Sequence, residues 1–207
     1  MTNFNSIVSF YDTLARLVFA DRINYAKRSF IGEILPWSRV LILGGGTGRI
    51  LEYLAETDSE LEITYVELSD QMMRSARQRK LGNHRVDFVL EDYFKFQTEE
   101  LYDVVICDFF LDLFEDEMLN NVIQRIRQHL TPQGKLVVSD FQIVDESIWQ
   151  RMLSALMHWY FRFLAQLDSR RLLDIDLKLT LSGFVREQKM TFYRGFIFSA
   201  LYRVGKE

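Results

Sequence analysis

The chain has 207 residues, 48% of them hydrophobic and 26% charged, with a net charge of −4. That length and balance suit one globular domain with a sizeable core, and they give no global electrostatic case for binding nucleic acid. The single cysteine, Cys107, excludes an internal disulfide and a multi-cysteine zinc site.

No apolar run is long enough to predict a membrane span, and no basic segment followed by an apolar stretch opens the chain. A cytoplasmic protein is therefore the default expectation. Residues 4–31 carry apolar groups at helical spacing, among them Phe10, Leu14, Leu17, Val18, Ile23, Phe30 and Ile31. Gly32 and Pro36 end this region. The apolar run 39–43 then predicts a strand buried on both faces, and helical spacing resumes over 47–56.

Between them lies Gly44-Gly45-Gly46-Thr47-Gly48, four glycines in five positions. Glycine tolerates positive φ and lets another molecule approach the bare backbone. A helix that starts just after such a turn offers free N–H groups and the positive end of its dipole. The dinucleotide fingerprint needs its third glycine where Arg49 stands, and no Gly-Lys-Ser/Thr follows, so neither that motif nor a P-loop is present. Two readings stay open: a turn that cradles a ligand, and one that only lets a helix pack closely on a strand.

Further strands are predicted at 62–67, 86–90, 102–107 and 135–139, with helices at 71–80 and 116–130 between them. Ser69 and Asp70 precede the first of these helices as capping residues. Thr131-Pro132-Gln133-Gly134 reads as a turn. Continuously apolar strands alternating with helices predict a parallel sheet covered on both faces. A long aromatic helix over 147–167, a helical stretch around 170–181 and two strand-like runs at 184–193 and 196–203 follow. The last two are joined so closely that a hairpin with an antiparallel strand is expected.

In such folds ligands sit at the carboxyl ends of the strands. Glu67 ends the second strand, 23 positions after Gly44, where an acid can accept hydrogen bonds from ribose hydroxyls. Leu68 beside it is placed to pack on a base. Asp92 follows the third strand and can accept from an exocyclic amine, with Tyr93 beside the base. Asp108 follows the fourth and faces either a cofactor amino group or a substrate. Asp103 begins that strand and lies at the opposite edge. The plain alternative for each acid is a solvated loop residue. Cys107 reads as core. His84 and His129 fall at the wrong edge for a general base, and His158 is placed in the aromatic helix.

Val40–Leu51, Val66-Glu67-Leu68-Ser69, Glu91-Asp92-Tyr93, Tyr102–Val105 and Leu130–Leu136 occur in the order and spacing of class I methyltransferase motifs. The chain resembles that S-adenosylmethionine-dependent family over about residues 38–141. The resemblance implies an α/β, Rossmann-like, doubly wound sheet of seven strands, mostly parallel with an antiparallel C-terminal hairpin and helices on both faces. It implies the cofactor at Gly44, Gly46, Glu67 and Asp92, to which the reading of the turn and strand ends adds Gly45, Leu68, Tyr93 and Asp108. The Tyr11-Asp12 segment and the early helix look like the lid of the quinone-biosynthesis and small-molecule branch, so Tyr11 and Tyr25 are expected to cover the cofactor. Residues 1–36 would then be a lid, 37–141 the cofactor core and 142–207 the acceptor side.

One position departs from the pattern. Ile42 stands where the family often has an acid, and Val-Leu-Ile-Leu-Gly-Gly-Gly also resembles the aminopropyltransferase form of this motif. The expected acceptor is small and apolar or aromatic, because Phe, Trp, Tyr and Met crowd the segments that would line it. Those aromatics equally suit a core or a homodimer interface. A cofactor-binding protein without catalysis, a protein methylator and a nucleic-acid methyltransferase remain alternatives. The acidic balance disfavours the last of these.

Overall fold

The computed structural model describes residues 22–142 and 173–205. Tyr11, His158, the 147–167 helix and most of the 4–31 helix lie outside the described residues. Residues 22–28 are helical.

Seven strands form one sheet: β1 (Arg39–Leu43), β2 (Glu62–Glu67), β3 (Arg85–Leu90), β4 (Tyr102–Asp108), β5 (Leu130–Phe141), β6 (Phe184–Phe192) and β7 (Ile197–Val204). Their order is β3-β2-β1-β4-β5-β7-β6. The first five run parallel, and β7 is antiparallel to both β5 and β6. The direction of strand order reverses between β1 and β4, so the crevice expected for a ligand opens at the ends of Leu43 and Asp108.

Strand alternation sends side chains to two faces. Val40, Ile42, Val104 and Ile106 face one core with α1 (Arg49–Leu54) and α2 (Asp70–Ala76). Leu41, Leu43, Val105 and Cys107 face the other, with α3 (Asp116–His129) and α4 (Ile175–Leu181). Both helix layers are needed because the central strands are apolar on both faces. Ser69 caps α2 by accepting a hydrogen bond from the Met72 N–H, and Asp70 is the first helical residue.

Three elements differ from expectation. Helix α1 has six residues and α2 seven, each shorter than the apolar spacing predicts. The stretch Thr131–Gly134 lies inside β5. Tyr102 pairs with Leu130 and Val104 with Lys135, so these four residues bulge opposite Asp103 alone. The turn chemistry survives as that bulge: a Cβ on Gly134 would stand 2.8 Å from the Leu130 side chain.

A third cluster caps the carboxyl side of β4 and β5. Ala26 from the helical segment packs there with Phe141, Phe196 and Ile197, and Phe109, Phe192 and Tyr193 lie against them.

Candidate functional site

The glycine turn is organised by Glu67. One carboxylate oxygen accepts the Gly46 N–H at 2.9 Å, and the other accepts the Ser69 N–H at 2.8 Å. Glu67 is half-buried at the end of β2. Each carboxylate oxygen keeps acceptor capacity for hydroxyl donors. Tyr65 donates its phenol to the Gly46 carbonyl at 2.9 Å, and Arg79 reaches the Thr47 carbonyl at 2.9 Å. Burial, with Glu67 nearby, pushes the Tyr65 phenol far up, so it stays a donor.

The four glycines divide by function. A Cβ on Gly45 would stand 2.3 Å from the Tyr65 ring, one on Gly44 2.4 Å from Phe110, and one on Gly48 2.7 Å from Ala76. These three glycines serve packing. Gly46, with φ +62°, has nothing within 4 Å of its Cβ position. It alone in the turn opens onto free space, as a ligand cradle requires. Three of the glycine N–H groups are engaged within the protein. The Gly44 N–H donates to Val66, that of Gly46 to Glu67, and that of Gly48 to Gly45. The helix that follows is also too short to act through its dipole. Ile42 is buried in the core beneath the turn and makes no polar contact with the cleft.

At the neighbouring strand end, Leu68 is 69% exposed and free to cover a base. Asp92 is half-buried and accepts the Phe94 N–H at 2.9 Å through one oxygen. Tyr93 does not stand beside it in the cleft. Its ring is buried against Phe110, His129 and the Arg125 guanidinium, because the chain turns inward directly after β3. Only its backbone remains at the strand end. Tyr25 is exposed and lines a groove with Arg28, Arg49 and Tyr53 along α1, away from the strand ends where it was expected.

Asp108 differs from the other acids. It is 6% exposed, and neither carboxylate oxygen has a hydrogen-bond partner. Pairing of Leu43 with Cys107 brings it beside Gly44. Burial raises its pKa, and the charge of Lys27 and the hydroxyl of Ser139, its register partner on β5, pull it back down. A buried acid so weakly partnered marks a place where a donor can arrive. Phe109 follows with φ +55°, a left-handed conformation that is costly for a bulky residue. Its N–H donates to the Ser139 carbonyl at 2.7 Å, and its ring lies 4.7 Å from that of Phe141.

Sequence reasoning missed a second acid pair. Asp140 accepts the N–H groups of Leu111 at 3.1 Å and Asp112 at 3.2 Å, which ties the loop after β4 to the end of β5. Burial pushes Asp112 up to about 6 and Asp140 well above its usual range, with each carboxyl acting on the other. Strand alternation places this pair on the sheet face opposite Asp108. The remaining titratable groups are structural. Burial raises the Cys107 thiol. His129, at the end of α3, is lowered by burial and stacks on Phe96. His84 accepts the Leu61 N–H at 3.2 Å.

Comparison with known proteins bears on this cleft. The family described as a methyltransferase domain matches residues 41–136, from the middle of β1 into β5. These residues, just under half of the chain, are similar to a methyltransferase domain. The chain is also similar to a malonyl-[acyl-carrier protein] O-methyltransferase of Bacillus anthracis, 34% identical over 103 residues, covering 50% of this chain and 37% of that protein. It is similar to polyamine aminopropyltransferase 1 of Pseudomonas aeruginosa, 33% identical over 114 residues, covering 49% of this chain and 40% of that one. The chain thus spans less than half the length of these curated relatives. In fold, the domain and its flanks resemble the Burkholderia thailandensis 1,6-didemethyltoxoflavin-N1-methyltransferase, whose structure holds that substrate and S-adenosylhomocysteine. The TM-score is 0.66 at 18% identity, over 98% of this chain and 89% of that one. Among the described residues of the methyltransferase domain and its flanks, no helix is long and apolar enough to cross a membrane, and no cluster of side chains suits a metal ion.

Proposed function

We propose that this chain is an S-adenosylmethionine-dependent methyltransferase of a small apolar or aromatic acceptor. The observation that carries the reading is the Glu67 carboxylate. It is locked by two backbone N–H groups beside the one glycine of the turn that faces open space. In this reading Gly46 leaves room for the cofactor, and Glu67 accepts from its ribose hydroxyls. Leu68 covers the adenine, and Asp92 accepts from the exocyclic amine. Gly44 and Gly45 shape the turn from beneath. Tyr11 is kept as a lid residue.

Bound there, S-adenosylmethionine supplies a methyl group already activated by its sulfonium. The protein's task is then to align the acceptor and exclude water. Phe109, Phe192 and Tyr193, the partly exposed aromatics packed over buried Phe141 and Phe196, give the apolar wall for an acceptor on the β4–β5 side. No described histidine faces this region, and no catalytic base is assigned. A cytoplasmic enzyme acting alone or as a homodimer fits this reading.

Titration calorimetry with S-adenosylmethionine tests it directly. Micromolar binding to the wild type and its loss in Glu67→Ala support the reading. A folded wild type that takes up no cofactor removes it.

The similarity to polyamine aminopropyltransferase, together with Ile42 in the Val-Leu-Ile-Leu-Gly-Gly-Gly run, favours a second reading in which the cofactor is the decarboxylated relative. Transfer assays with each cofactor separate the two.

A further inference from the structure

The turn between β6 and β7 is pinned to the same edge of the sheet as the cleft. β7 begins at Ile197, opposite Phe141 at the end of β5. The Gln142 N–H donates to the Phe196 carbonyl at 2.9 Å, and the Gln142 side-chain amide donates to the Gly195 carbonyl at 2.8 Å. The end of β4 lies two strands away, about 10 Å at the ordinary strand spacing. A ladder of rings covers that distance. Phe109 stands 4.7 Å from Phe141, and Phe141 stands 5.4 Å from Phe196.

The composition of this turn is unusual. Tyr193, at φ 49°, and Arg194, at φ 54°, are consecutive left-handed residues, closed by the Gly195 N–H on the Phe192 carbonyl at 3.1 Å. Two-residue turns of this shape ordinarily use Asn-Gly or Asp-Gly. A tyrosine and an arginine hold it at a cost that those residues would avoid, and such strain collects where side chains have a task. Here they border a cavity of about 550 Å³, whose described lining is Arg22, Thr191, Phe192, Tyr193 and Arg194. That volume suits a small molecule. Arg22 stands on the helical segment one turn before Ala26, which packs with Phe196. Two guanidinium groups distant in sequence are thus brought to one cavity, with two partly exposed rings, one hydroxyl and no carboxylate in its described lining.

We propose that this cavity takes the anionic group, a carboxylate or a phosphate, of an aromatic acceptor, with Arg22 and Arg194 as its donors. The inference deepens the acceptor reading given above and rests on it. A guanidinium fork offers paired N–H donors that match the oxygens of either anion. Both arginines are exposed, so an anion reaches them from solvent. An anion between two cations also relieves their mutual repulsion, which a neutral group of the same shape cannot do. Held by its anion at the turn, the acceptor lays its ring along Phe192, Tyr193 and Phe109 and directs its far edge toward the end of β4.

The probes are 2-naphthoate, 2-naphthyl phosphate and the neutral 2-naphthamide. Each is titrated by calorimetry, with S-adenosylhomocysteine present, into wild type, Arg22→Gln and Arg194→Gly. The wild type is expected to bind at least one anion about tenfold more tightly than the amide, the scale of one charge-assisted hydrogen bond. Tighter naphthoate assigns a carboxylate, and tighter naphthyl phosphate assigns a phosphate ester. Each substitution should cut the preference severalfold. Arg194→Gly suits the left-handed turn, so its loss would not report a broken fold. Both variants should hold S-adenosylhomocysteine as the wild type does. A wild type that binds neither anion more tightly than the amide overturns the inference and leaves the cofactor site standing. So does a preference that survives both substitutions. A folded wild type that takes up no S-adenosylhomocysteine overturns the cofactor reading and this inference with it.

Discussion

Two carboxylates at neighbouring strand ends have opposite circumstances. Glu67, at β2, is half-buried and saturated by the backbone N–H groups of Gly46 and Ser69. Asp108, at β4, is buried without a backbone donor, and only the Lys27 charge and the Ser139 hydroxyl act on it. The first is part of the architecture, because the glycine turn keeps its shape only while an acceptor sits beneath Gly46. The second carries a desolvation cost that the Lys27 charge and the Ser139 hydroxyl offset only in part. One cleft therefore joins a side built by the fold to a side left for a ligand to complete.

The built side should fail most severely when its packing is broken. Gly45→Val forces a branched side chain into the Tyr65 ring, which is fully buried and has no room to move. Denaturant unfolding should show a loss of ~3 kcal/mol. Gly46→Ala meets only the left-handed backbone penalty of ~1–2 kcal/mol, and its main effect should be weaker cofactor binding. Equal losses of stability at the two positions would erase the distinction between packing glycines and the open one.

Glu67→Gln comes next. An amide offers one acceptor oxygen where two N–H groups need one each, so a donor is turned against a donor. Stability should fall by about 1–3 kcal/mol, read from the same unfolding curves.

The Asp112–Asp140 pair is a second buried acid site, on the other face of the sheet and bonded to the backbone. Burial raises the Asp112 pKa from 3.8 to about 6, so the native state keeps a proton that the unfolded chain releases. The stability this adds is full below the ordinary carboxylate range and is lost as pH rises through about 6. Roughly 1–3 kcal/mol should disappear across that window, and Asp112→Asn should flatten the pH profile. A wild-type profile with no slope there would show that the pair does not share a proton.

The smallest change in stability is expected at Asp108→Asn, and its direction is informative. Removing a buried charge that is only partly offset should leave the melting temperature unchanged or raise it, while cofactor affinity falls. A fall in stability like that of Glu67→Gln would place Asp108 among the structural acids.

Much of this was legible because it is local. The apolar runs located β1, β4 and β7 to within a residue or two, since a strand buried on both faces admits little else. Spacing put Glu67 at a strand end with no structure in hand. The misplacements were equally instructive. Tyr93 follows β3 in the position of a ligand-covering aromatic, yet its ring turns into the core because Phe110 and Arg125, distant in sequence, offer it a better environment. Helix α1 falls short of its apolar repeat because Gly48 takes a left-handed conformation at its start.

By itself the sequence determined the alternation of strands and helices, the position of the glycine turn and the acids at three strand ends, because each depends on periodicity and spacing along the chain. Tertiary structure alone decided which glycine opens outward, which carboxylate is satisfied, and that Lys27 stands near Asp108. Those properties depend on which atoms arrive from elsewhere in the chain to fill a space, supply a donor or withhold one.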